Sequence, residues 1–298
     1  MKIFLTGMTG FIGSSLWKHL AGFDEIYVLA RKPLEIKMQG LNVKVLQGDL
    51  SAPAGIFDEL KRIRPDVCIH LAWKGIPDFG YEMSLKNLQQ SSALLRCLVE
   101  ECGCKKIIMA GSCFEYGKNV GPCHEDEGIV LNSYFVWAKN ALYNLGTILA
   151  SKYNVSFIWF RFFYVYGPGQ RSGSLIPSLA ASLIKKDRPL VKTPLNANDF
   201  IYVDDIAQAL VIAAQKDIPT GIYNLGTGIS VPVWKICEML ENDMGLSTDF
   251  SGEMKCSKVP ATANFWADTS KVKTTLAWDP KTSLESGLKQ YLSSVRTS

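Results

Sequence analysis

Thr6-Gly7-Met8-Thr9-Gly10-Phe11-Ile12-Gly13 follows the apolar run Ile3-Phe4-Leu5 and leads into Ser14-Ser15-Leu16-Trp17. That order reads as a strand, a glycine-rich turn and a helix. Gly7 permits a tight turn, Gly10 lets the backbone approach a pyrophosphate, and Gly13 lets the helix pack close to the strand. The helix N-terminus adds unpaired N–H groups and the positive end of a dipole for phosphates. The spacing is GxxGxxG rather than GxGxxG. Its place between a first strand and a first helix makes a dinucleotide site a stronger reading than a ligand-free turn. Thr9, Phe11 and Ile12 complete the loop that would meet the cofactor.

The second strand ends Val28-Leu29-Ala30-Arg31-Lys32. An NAD site usually places Asp or Glu here for the ribose 2′-hydroxyl. Ala30 removes that carboxylate, and its repulsion, from a 2′-phosphate. Arg31 offers a two-pronged partner to the phosphate, with Lys32 beside it. The expected cofactor is therefore NADP(H), although a solvated strand end would also carry these cations. Asp49, after the third strand, is positioned for the adenine amino group; a helix cap would use the same residue.

Outward from the glycine loop, short apolar runs alternate with helical periodicity. Strands are read at 2–6, 26–30, 43–46, 67–71, 106–111 and 155–161. Helices are read at 11–21, 56–63, 81–102 and 134–151. This rhythm predicts an α/β fold, a doubly wound parallel sheet of the Rossmann type. Beyond Gly167-Pro168-Gly169 the pattern becomes irregular, with helices read at 174–185, 204–215 and 231–243 and strands at 199–203 and 222–225. Residues 1–167 are read as the dinucleotide half, with 199–227 returning to it. Residues 168–298 are read as a smaller, interleaved α/β substrate domain.

The 298 residues are 47% hydrophobic and 20% charged, with a net charge of +4. That is ample for a large core. No Lys/Arg block suggests a nucleic-acid groove. The first residues enter a strand directly, so no signal peptide is expected, and no apolar run approaches the ~20 residues of a membrane span. The eight cysteines are scattered. Cys102 and Cys104 lack a second pair to complete a zinc site, so no metal is expected and the thiols are read as reduced, in the cytoplasm.

Further motifs accompany the glycine loop: Gly48-Asp49-Leu50, His70-Leu71-Ala72-Trp73, Gly111-Ser112-Cys113-Phe114-Glu115-Tyr116-Gly117, Tyr166-Gly167-Pro168-Gly169, Asp199 to Asp205, Tyr223-Asn224-Leu225-Gly226, and Asp268, Lys271 and Trp278-Asp279-Pro280. In this order they resemble the extended short-chain dehydrogenase/reductase family, over essentially the whole chain. The resemblance implies cofactor contacts at Leu50, Leu71, Ala72, Trp73, Lys139 and Phe162. It also implies a catalytic set of Ser or Thr, Tyr and Lys. Ser112 and Lys139 match two members, but the tyrosine position, four residues before Lys139, is Phe135. Tyr134 points about 100° away on a helix. In the family the tyrosine exchanges a proton with the substrate oxygen, the lysine lowers its pKa and binds the nicotinamide ribose, and the serine bonds the oxygen. Phenylalanine keeps the ring and loses the proton. Three readings stay open: an engineered change that traps a complex, favoured because the surrounding motifs look built for catalysis; a natural binder without turnover; or an enzyme with another acid. Ordinary core packing on a helix is the structural alternative.

Family dehydratases carry Asp-Glu after the Ser/Thr, where this chain has Cys113-Phe114. Epimerases favour an acidic residue after the second strand, where this chain has Ala30-Arg31. The resemblance therefore points to an NADPH-dependent reductase of a 4-keto-6-deoxy nucleotide sugar, of the abequose- or fucose-forming kind. The alternatives are an epimerase or a non-catalytic NADP(H) sensor. Expected substrate contacts are Lys74, Asn87, Cys113, Phe114, Glu115, Tyr164, Arg171 and Asn198. Family members commonly pair their long helices into a homodimer, which is expected here through 81–102 and 134–151.

Overall fold

The computed structural model describes residues 1–34, 40–117 and 120–296. The chain runs β1 (Lys2–Thr6), α1 (Phe11–Leu16), β2 (Glu25–Ala30), β3 (Val43–Gln47), α2 (Ala54–Ile63), β4 (Val67–His70), α3 (Tyr81–Arg96), β5 (Lys106–Ser112), β6 (Val120–Cys123) and α4 (Tyr134–Tyr153). It continues β7 (Ser156–Phe162), β8 (Tyr164–Tyr166), α5 (Leu175–Ile184), β9 (Ala197–Tyr202), α6 (Val203–Gln215), β10 (Gly221–Leu225), β11 (Ser230–Pro232) and α7 (Val233–Met244). It ends α8 (Phe250–Lys255), β12 (Asn264–Ala267), α9 (Ser270–Leu276) and α10 (Leu284–Arg296).

Among the described residues, seven strands form one sheet in the order β3-β2-β1-β4-β5-β7-β10. The pairings β2–β3, β1–β2, β1–β4 and β4–β5 are parallel. The order reverses at β1 and β4, so the chain leaves the carboxyl ends of these two strands in opposite directions and opens a crevice there. β1 and β4 are nearly continuous apolar runs because helices cover both faces of a parallel sheet.

The residues divide into two compact units. The first comprises Met1–Gly117, Gly128–Arg161 and Ala207–Tyr223. Its core gathers Phe4, Leu60, Leu94, Ile107, Phe157 and Trp159. α4 is started by Ser133, whose hydroxyl accepts the Val136 N–H at 3.3 Å, and is stopped by Asn154 in the left-handed region. Lys106 on β5 donates to the last carbonyls of α6 at Ala213 and Ala214, holding that helix to the sheet.

The second unit includes Phe162–Ile206 and Asn224 onward. It holds a sheet in the order β11-β9-β12-β6, with β8 on β9, and a core of Tyr166, Leu179, Tyr202, Ile236, Leu240 and Leu288. Residues 199–203, placed by the sequence among elements returning to the dinucleotide half, lie mostly in β9 of this second sheet; α6 and β10 are the returning elements. β6, β11 and β12 have no counterpart in the sequence reading. They are three or four residues long, and β6 and β11 contain proline. Their pairing comes from distant partners rather than local propensity.

Candidate dinucleotide cleft and the aromatic–lysine cluster beside it

Gly7 and Gly13 in the loop pack directly against backbone. Gly7 has φ +78°, and a Cβ there would sit 2.7 Å from the Ala72 nitrogen and the Leu71 carbonyl carbon. A Cβ on Gly13 would lie 2.1 Å from the Gly7 carbonyl oxygen. Gly10 N–H donates to that oxygen at 2.9 Å. Any side chain at Gly7 or Gly13 would push β1, α1 and the exit of β4 apart.

Below the loop, His70 links three elements. Its Nδ1 lies 2.7 Å from Thr6 Oγ1 on β1, and its Nε2 lies 2.9 Å from Ser91 Oγ on α3. Thr6 Oγ1 also accepts the Ala72 N–H at 3.2 Å. Burial, reinforced by the Lys139 charge, lowers the His70 imidazole to about 3, so it is neutral at physiological pH. The sequence marked His70 only as part of a motif. Its structural signal was a histidine closing an apolar strand level with Thr6.

The carboxyl ends of β1, β2, β3 and β4 surround a cleft of about 280 Å³. Gly7, Thr9, Gly10, Arg31, Asp49, Leu50, Leu71, Ala72 and Trp73, the residues read as cofactor contacts, line it, together with Lys74 and Asn87. Thr6, Gln90 and Ser91 join them. Gln90 and Ser91 were missed, yet they share a helix face with Asn87 at spacings of three and four. Ala30 and exposed Arg31 form the β2 corner, with no carboxylate at the β2 end itself. Asp49, on the β3 side, accepts the Ser51 N–H at 2.8 Å. That bond, with Lys74 and Arg31 adding attraction, holds its carboxyl below the usual range. Lys32 is exposed, Phe11 and Ile12 are half-buried, and Gly13 serves packing. A glycine cradle, two basic side chains and an apolar floor fit a dinucleotide diphosphate and its ribose.

Two expected substrate ligands have other work. Asn87 is buried; its Oδ1 accepts the Lys74 N–H at 2.7 Å, and its Nδ2 donates to the carbonyls of Lys74 at 2.9 Å and Met83 at 2.8 Å. Its amide is spent on the loop leaving β4, so Asn87 shapes the cleft wall instead of binding ligand through that amide. Glu115 is fully buried. Its carboxylate accepts the Ser112 N–H at 2.8 Å and bonds Trp159 Nε1 and Arg161 Nε, the last at 2.9 Å. It braces the turn after β5, with the Arg161 guanidinium 4.3 Å from the Tyr116 ring centroid. Cys113 is buried in the same turn, while Phe114 is exposed and meets Phe79 edge-on. Ser112 closes β5 as the N-cap of this turn; its hydroxyl accepts the Phe114 N–H at 3.2 Å and keeps a proton to give.

Phe135 and Lys139 lie one turn apart on α4 and both are buried. The Phe135 ring packs against Trp73 at 5.5 Å and Phe79 at 4.8 Å. Tyr134 is 55% exposed and meets Tyr81; it does not stand in for a hydroxyl at 135. Lys139 Nζ donates to the Ala110 carbonyl at 2.6 Å and sits 3.8 Å from the Trp73 ring centroid. Trp73 therefore lines the cleft and also carries the ammonium. Burial pushes the Lys139 ammonium down to about 7, and Glu115 opposes that shift.

The remaining expected residues belong to the second unit. Phe162 is buried at the end of β7, and Tyr164 packs on Phe200 and Phe265. Asn198 is buried on β9 with its Oδ1 unbonded, and Arg171 is exposed. Among the described residues no group of His, Cys, Asp or Glu side chains is placed to hold a metal ion. No helix is long and apolar enough to cross a membrane.

Residues 3–226 match the NAD dependent epimerase/dehydratase family. The chain belongs to that family. Its relatives include the UDP-glucuronate 4-epimerase of Thermodesulfobacterium geofontis, 31% identical, covering 96% of this chain and 93% of that protein. The CDP-abequose synthase of Salmonella typhimurium is 24% identical over 97% of each. Among solved structures, MoeE5 in complex with UDP-glucose and NAD superposes with a TM-score of 0.83, at 25% identity, over 100% of this chain and 99% of that one. The superposition gives the two chains one fold.

Proposed function

We propose that this protein binds NADP(H) in the cleft and reduces the ketone of a 4-keto-6-deoxy nucleotide sugar. The β2 corner carries the cofactor part of this reading: Ala30 offers no carboxylate and Arg31 offers a guanidinium at the cleft edge. NADPH, when bound, supplies hydride. Ser112 hydrogen-bonds the ketone oxygen through its hydroxyl and polarises it, keeping its own proton, and Trp73 and Phe135 form a dry wall beside the reacting carbon. Lys74 in the first unit is proposed as a substrate contact, and Tyr164, Arg171 and Asn198 in the second keep the substrate-binding role that the family resemblance implies. Cys113-Phe114 supplies no acid–base pair for dehydration, and the abequose synthase relative supports ketone reduction.

The epimerase relative favours a second reading, in which the cofactor is oxidised and reduced within one cycle. The deciding assay follows nicotinamide absorbance with CDP-, dTDP-, GDP- and UDP-linked 4-keto-6-deoxy sugars. Stoichiometric NADPH loss supports the reductase. C4 interconversion without net cofactor loss makes the protein an epimerase. Binding of both ligands with neither outcome leaves a sensor.

We also propose a cytoplasmic homodimer. The buried free thiols suit a reducing compartment. Exposed Tyr81 on α3, and Tyr134 and Ile148 on α4, suit a helical interface. Sedimentation at micromolar concentration should show a dimer; a monomer refutes it.

A further inference from the structure

Lys139 is a buried ammonium with no carboxylate paired to it among the described residues. Its Nζ has one hydrogen-bond acceptor, the Ala110 carbonyl, and is otherwise ringed by aromatic side chains, Trp73 at 3.8 Å and Trp159 at 5.8 Å from the ring centroids. Burying an unpaired charge is costly, and an apolar side chain would pack here at less expense. The ammonium lies 5.7 Å from the centroid of the Phe135 ring. Among the described residues it is a proton-bearing group one helical turn from position 135, on the same face of α4.

We propose that Lys139 is itself the proton donor, giving the substrate oxygen the proton that Phe135 lacks. The proposal rests on the ketoreductase reading above. As the carbonyl carbon accepts hydride from NADPH, the π pair of the C=O bond moves to oxygen. That oxygen takes a proton from Nζ, directly or through one water. NADP⁺ and a neutral amine remain, and solvent reprotonates the amine.

The surroundings support a donor that works near neutrality. Glu115 faces Lys139 from the turn after β5, but its charge is held by Arg161. His70 faces it from β4 and is neutral. Tyr143, one turn further along α4, is pushed upward chiefly by burial and keeps its proton. An ammonium lowered to about 7 is half-charged at neutral pH, close to the optimum for a general acid.

The test uses the unsubstituted protein, Lys139→Met and Lys139→Arg. Arginine keeps the charge but cannot give up its proton. The unsubstituted protein should lose kcat as pH rises through about 7. Both variants should fall by about 10²–10⁴-fold and lose that limb, while NADPH binding persists by titration. In ¹³C-labelled protein, the lysine Cε resonance missing from Lys139→Met should titrate near neutrality, with or without ligands. Turnover and the pH limb surviving in Lys139→Arg would overturn the donor role alone. So would a Cε resonance that titrates only near the ordinary lysine value. No NADPH oxidation by the unsubstituted protein, although both ligands bind, would overturn the ketoreductase reading and the donor role together.

Discussion

Phe135→Tyr adds one hydroxyl to a ring that is 6% exposed and packed on Trp73 and Phe79. A buried hydroxyl left without a partner costs about 1–3 kcal/mol. Lys139 Nζ, one turn away on the same face, provides a partner, so the loss of stability should stay near ~1 kcal/mol. General acid catalysis contributes about 10²–10⁴-fold. Because Lys139 already donates, the gain in turnover should lie at the lower end, about 100-fold or ~2.7 kcal/mol of barrier. Single-turnover oxidation of NADPH with saturating 4-keto nucleotide sugar measures the gain, and urea unfolding measures the cost. A variant that folds, binds both ligands and turns over no faster would show that position 135 does not face the reacting oxygen.

Arg31→Ala should weaken NADPH by about 1–3 kcal/mol and leave NADH nearly unchanged; equal losses in calorimetric titration would remove Arg31 from the 2′-phosphate. Glu115→Gln leaves the Arg161 guanidinium buried without its counter-charge and should lower unfolding free energy by about 3–5 kcal/mol, read from urea curves; a loss under ~1 kcal/mol would contradict the bracing role. His70 is held far below its ordinary 6.5 in the folded state, so the unfolded chain takes up a proton first as pH falls. Stability should therefore decline below about pH 6.5, with a slope of up to ~1.4 kcal/mol per pH unit from this residue. A His70→Asn protein with the same slope would refute that assignment.

Much of the first unit was legible because its signals are local. β1, the glycine loop and α1 follow from three glycines whose steric reasons can be stated without partners. β2 to β5 follow from apolar runs of strand length. Of the second sheet only β9 was legible as a strand, because Val120–Cys123 and Asn264–Ala267 become strands by pairing with each other. Site residues divide along the same line. Arg31 and Asp49 reach the cleft because strand ends in a doubly wound sheet always do. Asn87 and Glu115 have the chemistry of ligands, but their hydrogen bonds go to the protein's own backbone and to Arg161, which only the folded chain reveals. The contact between Lys139 and Trp73 joins residues 66 positions apart (139 − 73), and no periodicity encodes it.

The Asn87 amide has a consequence for how this protein can change. It ties the Lys74 backbone to a turn of α3, so the position of one cleft wall is set from a helix rather than from the loop itself. A substitution at Asn87 would therefore act on the cleft twice, at its own place in the lining and through the Lys74 backbone that it holds. Selection for a tighter or looser cofactor can then act from α3, as a vernier on Lys74, while the glycine loop and Arg31 keep their chemistry intact.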